Sequence, residues 1–274
     1  SLVDVPVSGQ LTADRLLGSL VTTGAPTGVA TNGNLAYVTD EIGLKVINIT
    51  DSSSPVTVGI LDTTGTASDV VISGDNSTAY VADGTSGLKI IDVTAPGKPR
   101  LLGIFDTVGV TSHAILSSDS SRIFIADGDG GLKIIDVSDS VNPNLIGLYV
   151  IEEQLYSIAL ATDETKLYLA TEAGLRILDV SDPTNMVLVG AFSTFGAVTS
   201  VALSPDQSTA YIVNPSLGLQ IIDIADSNSP LLVGSFDNSS AKGAELSNDG
   251  SRLYLYSAFD VQIIDPSDPA NLVS

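Results

Sequence analysis

The sequence predicts an all-β fold, a six-bladed β-propeller with four antiparallel strands per blade, on three observations. One heptapeptide recurs six times at near-constant spacing. Each copy is embedded in a set of short strand-like runs. No segment carries a sustained apolar period of 3.6 residues.

The heptapeptide reads GLKVINI from Gly43, GLKIIDV from Gly87 and from Gly131, GLRILDV from Gly174 and GLQIIDI from Gly218, with a divergent DVQIIDP from Asp260. Successive copies start 44, 44, 43, 44 and 42 residues apart. Chance similarity does not hold such spacing, and a closed ring of repeats makes residues 1–274 one domain.

The second repeat shows the runs of one blade. SDVVIS (Ser68–Ser73) leads through a turn at Gly74, Asp75 and Asn76 into TAYVAD, which ends at Asp83. A glycine-rich turn leads to GLKIIDV, and a proline loop, Thr94–Pro99, to RLLGIFDT. Runs of this length bounded by Gly, Pro, Asn and Asp are strands. Four antiparallel strands at this period describe a propeller blade. The innermost strands are expected to begin near Thr27, Asp69, His113, Ser157, Ser200 and Gly243. In GLKIIDV, Leu88 and Ile90 face one way and Ile91 and Val93 the other, as in a sheet buried between two neighbours. Lys89 is expected to snorkel outward.

Ring closure is the open point, because six sets of three inner strands have only five outer strands between them. The segment Arg15–Thr22 (RLLGSLVT) matches the outer strand Arg100–Thr107 and is expected to close the last blade. Asn271–Ser274 starts like an outer strand and stops. Ser1–Val5 resembles the end of a preceding repeat. Exchange between the two ends would remove sheet edges, and an unsatisfied terminal strand would pair with a second subunit.

Composition narrows the function classes. There are 32 acidic residues against 11 basic, a net charge of −21. Such a surface repels phosphate backbones and anionic membranes, so nucleic acid is not an expected partner. The absence of cysteine excludes disulfides, thiolate zinc sites and a cysteine nucleophile. No apolar run reaches the length that spans a bilayer, so membrane insertion is not expected. The first twenty residues show no signal-peptide pattern, and a chain starting at Ser reads as a processed or excised piece.

The units GLKIIDVTAPGKPRLLG and GLKIIDVSDSVNPNLIG resemble LVIVD repeats, found in bacterial and archaeal secreted and cell-surface proteins, and are similar to surface-layer propellers of the YVTN type. The resemblance covers nearly the whole chain. It implies a propeller in an extracellular or cell-surface setting and no catalytic residues. The sixth unit departs from it at Asp260 and Val261. The chain also lacks the Trp-Asp and Gly-His signatures of WD40 blades.

Residues that recur in every blade read as structural. The Asp of IID (Asp92, Asp136, Asp179, Asp223 and Asp265, with Asn48 in the first copy) is expected to accept N–H bonds from the turn that follows it. Asp40, Asp83 and Asp127, with Asn214 in the same place, stabilise the turn before GLK. Asp127 to Gly131 (DGDGG) resembles part of a calcium loop, making Asp127 and Asp129 weak metal candidates without the closing Glu.

Residues that break the repeat point to a site at one mouth of the channel. Asp69, His113, Tyr156 and Lys242 stand where other copies carry small residues, and Glu245 stands within an innermost strand where others have Val or Ala. Asp62, Asp106, Glu152, Glu153 and Asp237 make this mouth acidic. His113, the single histidine, aligns with Asp69 one blade earlier. Such a pair can act as a base or a metal ligand. Lys242 is expected to pair with Glu245 or Asp237. The five arginines fall on strand starts and outer strands, against a sialidase-like cluster, and no Gly-x-Ser-x-Gly elbow supports a Ser-His-Asp triad. The expected function is therefore a non-catalytic extracellular binding or structural module that engages a protein or surface partner and can self-associate through its terminal strands. The alternative is a calcium-dependent hydrolase or lyase, lactonase-like, using Glu245 and Asp69.

Overall fold

A computed structural model describes residues 17–22, 24–247, 249–257 and 260–269. Every regular element among them is a strand. The first blade comprises β1 (Gly28–Asn32), β2 (Leu35–Asp40), β3 (Gly43–Asn48) and β4 (Val56–Asp62). The second holds β5 (Asp69–Ile72), β6 (Thr78–Ala82), β7 (Leu88–Asp92) and β8 (Arg100–Phe105). The third holds β9 (His113–Leu116), β10 (Arg122–Ala126), β11 (Leu132–Asp136) and β12 (Asn144–Tyr149). The fourth holds β13 (Leu155–Leu160), β14 (Lys166–Thr171), β15 (Gly174–Asp179) and β16 (Val187–Ser193). The fifth holds β17 (Ser200–Leu203), β18 (Thr209–Asn214), β19 (Gly218–Asp223) and β20 (Leu231–Phe236). The sixth has β21 (Ala241–Leu246), β22 (Leu253–Ser257) and β23 (Val261–Ile264). Each sheet is an antiparallel meander in sequence order, and the six form a six-bladed β-propeller.

The core lies between blades. Leu88 and Ile90 pack toward the third blade with Ala114, Ile123 and Ile135. Ile91 and Val93 pack toward the first with Tyr37, Leu44 and Val46. The same division recurs at Leu132 and Ile134 against Ile135 and Val137, and again at Leu219 and Ile221 against Ile222 and Ile224. Both faces of each GLKIID strand are thus removed from water, and this explains its lack of polar alternation.

Two innermost strands begin earlier than expected, at Leu155 and Ala241, because each carries a bulge at its first residues. Each outer strand bulges too, just before a glycine: Gly59, Gly103, Gly147, Gly190 and Gly234. A Cβ at any of these would collide with a backbone carbonyl of the next blade's proline loop, at Pro96, Ser140, Pro183, Ser227 and Pro269 respectively. These are close approaches that only glycine permits.

The seam corrects one expectation. The last sheet has three strands among the described residues, and residues 17–22 of the proposed closing strand carry no strand pairing. Yet a Cβ at Gly18 would collide with the Ser52 carbonyl, as at the five outer-strand glycines. The segment therefore occupies the outer position of the sixth blade without a regular ladder. The neighbouring β23 is short and begins with an exposed Val261 instead of Gly-Leu, so it offers little to pair with. Arg15, Leu16, Ser1–Val5 and Asn271–Ser274 lie outside the described residues.

Candidate functional site

The first residues of the innermost strands face a central channel of about 1370 Å³, lined from all six blades. Its side chains stitch neighbouring blades. Asp69 Oδ2 accepts the N–H of Ala114 at 3.1 Å, His113 Nδ1 that of Ile158 at 3.4 Å, and Ser200 Oγ that of Ala244 at 3.4 Å. One residue earlier, the hydroxyls of Ser112 and Thr199 donate to the carbonyls of Tyr156 and Lys242, at 3.0 and 3.2 Å. The ladder therefore places Asp69 and His113 in register with Ser157, Ser200 and Gly243. Tyr156 and Lys242 align with Ser112 and Thr199, one residue before that register, at the bulges that open β13 and β21.

His113 and Asp69 come together as the sequence suggested, with Nε2 3.7 Å from Oδ2 and both side chains partly shielded. Since Nδ1 accepts a backbone N–H, the neutral imidazole carries its proton on Nε2, facing Asp69. Asp69 Oδ1 also accepts from its own chain, the N–H of Val70 at 2.8 Å.

Glu245 belongs to the same group. Water in the channel reaches its carboxylate, yet protein surrounds it. Burial raises its pKa, His113 opposes that rise, and the negative charge of Asp69 adds to it. Tyr256 completes the cluster. Its ring lies over Gly243, where a Cβ would strike the phenol. Burial, then Glu245 and Asp69, raise its pKa. Sequence reasoning passed over Tyr256, although a signal existed: the corresponding positions of the other five blades hold the smaller Thr39, Ala82, Ala126, Ala170 and Val213. Tyr156 lines the channel half-buried, and Lys242 is exposed. Lys242 makes no ion pair with Glu245 or Asp237 among the described residues.

The turn acids have a different role. Asp40, Asp83 and Asp127 are fully buried, each beside the lysine of its GLK strand: Lys45, Lys89 and Lys133. The expectation that Lys89 snorkels outward is thus corrected; it is buried and donates to the Ser86 carbonyl at 2.6 Å, 3.7 Å from Asp83. The turn folds each lysine back beneath it, beside the buried acid. Burial pushes Asp40 up, but Lys45 and the N–H groups of Ile42 and Gly43 outweigh it and hold the acid below the usual range. In Asp83 burial prevails over Thr63 and Lys89, and its pKa is raised. Asp127 accepts from the Gly109 N–H (3.0 Å), the Thr111 hydroxyl (2.9 Å) and Lys133, whereas Asp129 is exposed. No group of three or more His, Asp or Glu side chains is arranged to hold a metal among the described residues. The IID acids accept the N–H two residues on, at Thr94, Ser138, Ser181, Ala225 and Ser267. They are turn-forming groups.

LVIVD repeats match residues 23–63, 64–107, 123–150, 165–194 and 196–238. No curated protein matches the chain. Among solved structures it is similar to a "putative 6-phosphogluconolactonase" from Bacteroides uniformis (TM-score 0.79, 15% identity, covering 93% of this chain and 85% of that one). It is also similar to the β-propeller domain of Cps50 (Swd1) from Myceliophteria thermophila (TM-score 0.74, 12% identity, 93% and 86%). A third likeness is to hydrazine synthase from Kuenenia stuttgartiensis (TM-score 0.66, 16% identity, 89% and 84%). At such identities these likenesses establish the fold alone.

Proposed function

The chain belongs to the LVIVD repeat family, and on that premise we propose that it is a non-catalytic binding or structural module of an extracellular or cell-surface protein. One observation carries this reading. The pair best suited to chemistry, His113 and Asp69, is engaged in holding backbone N–H groups of the next blade. His113 thereby loses the lone pair a base would use. The outer strands support a binding role, for each of the first five exposes large aliphatic side chains, among them Ile60, Ile104, Leu148, Val187 and Leu231. Apolar, unpaired edges of this kind favour contact with another polypeptide. Self-association through the terminal strands belongs to the same proposal.

A second reading, a calcium-dependent hydrolase or lyase at the channel, draws on Glu245, whose raised pKa suits a proton donor, and on the fold likeness to the Bacteroides protein. A phosphorylated lactone, the substrate class that protein's name states, calls for cationic groups. The described channel lining contains neither Arg nor Lys.

The test is a panel of lactones and activated esters with and without calcium, together with thermal melting in calcium. The expected result is no turnover above buffer and no rise in Tm with millimolar calcium. Turnover that disappears in His113→Ala or Glu245→Gln, or a Tm rise of several degrees on adding calcium, overturns the proposal.

A further inference from the structure

The loops that lead into the innermost strands carry large apolar side chains at their tips. Val108 is 94% exposed, Phe195 85% and Val150 74%. They belong to three successive loops, before β9, β17 and β13 respectively, so they line one arc of a single face. Each loop runs directly into the channel: Val108 precedes Ser112, Val150 precedes Tyr156 and Phe195 precedes Thr199, all of which line it. A side chain exposed to this degree contributes nothing to the fold, and three together form an unpartnered apolar arc. Beyond the arc the channel descends to Asp69 and Glu245, with the Tyr256 ring beside them.

Charge selects the occupant. A second copy would bring another −21 to an acidic face, and nucleic acid would bring phosphates. A metal ion needs ligands that converge, and no such group exists among the described residues. A flexible ammonium or guanidinium on an apolar backbone segment needs neither convergence nor dehydration at one point. It finds two carboxylates and an aromatic face in the channel, and apolar anchors above it.

We infer that this face binds a cationic peptide segment, its aromatic or aliphatic residues seated on Val108, Val150 and Phe195 and a lysine or arginine side chain lowered toward Asp69 and Glu245. The inference deepens the binding-module reading and rests on it. Acidic charge steers the segment to the face, and the apolar tips hold it there.

The test is fluorescence anisotropy of a fluorescein-labelled synthetic peptide of alternating lysine and phenylalanine, titrated with the full chain. Binding is expected to weaken with salt and to fall at least about tenfold in Glu245→Gln and in Phe195→Ser. Val108→Ser, at an exposed loop tip, supplies a variant that folds whatever happens at Glu245. A peptide with glutamate in place of lysine is expected not to bind. Equal binding by all variants, or by the glutamate peptide, overturns the inference. So does displacement by spermidine at the peptide's own concentration, which would indicate a small polyamine site. Turnover in the lactone and ester panel with peptide binding intact overturns the non-catalytic reading alone; absence of both turnover and peptide binding overturns this inference alone.

Discussion

At the scale of single residues, the buried Asp–Lys pairs of the first three blades show how one position can be filled in several ways. Asp127 and Lys133 are charged partners in a site closed to water. The fifth blade puts the neutral Asn214 and Gln220 in the same two places. In the fourth, Thr171 and Arg176 share Glu153, which reaches in from the preceding loop. The position therefore requires hydrogen-bonding capacity rather than charge. Removing one member of a buried pair leaves the other charge uncompensated, which costs about 3–5 kcal/mol. Lys133→Met is expected to destabilise by that amount in urea denaturation. Asp127→Asn with Lys133→Gln, which reproduces the fifth blade, is expected to stay within about 1 kcal/mol of the parent. A double variant as unstable as the single one would show that charge itself is needed.

At the scale of elements, the hairpin turns on the face opposite the mouth hold the blades in register. In each turn one residue adopts positive φ, including Ser120 (59°), Glu164 (57°) and Gln207 (62°). The side chain lifted by that conformation accepts an N–H from the preceding blade's turn, at Gly74 (3.0 Å), Ser118 (2.6 Å) and Thr162 (3.3 Å). The next donor position is Pro205, which has no N–H, and the residue facing it is Gly250, with φ of 70° and no side chain to offer. Glu164 also pairs with Arg122 at 2.9 Å. Glu164→Ala is expected to cost about 1–3 kcal/mol, the range for a charged hydrogen bond whose partner is left behind. Gln207→Ala is expected to cost less, because its longer bond joins neutral groups. Equal losses in thermal denaturation would refute this account of the turns.

At the scale of the whole molecule, the ring is unevenly closed. Between consecutive blades the clusters hold from nine to twelve buried residues. The outer face of the first blade, turned toward the sixth, buries only Ala36, Val38 and Ile47 among the described residues, with Ile49 packed against them. The innermost β1 is half-exposed along its length, and β23 is largely so. A ring opens where the least apolar surface is buried. Hydrogen exchange is expected to be fastest, among the strands, in Gly28–Asn32 and Val261–Ile264, and slowest in the GLK strands of the second to fourth blades. Uniform protection around the ring would contradict a weak seam.

The repeat by itself determined the blade count, the strand order and the two-sided burial of the GLK strands, since each follows from local patterning repeated at one period. It also marked His113, Asp69 and Glu245, because a residue that breaks a repeat stands out in the sequence. What those residues do was decided by tertiary structure. Asp69 and His113 meet across two blades, and the N–H groups they accept belong to residues some 45 positions further along the chain. Lys89 was read as snorkelling because its strand pattern does not disclose which turn lies over it. The three-stranded sixth sheet depends on pairing between segments far apart in the chain. Local sequence governs the pleat and the turn, whereas the curvature of a closed ring governs which side chains share its centre.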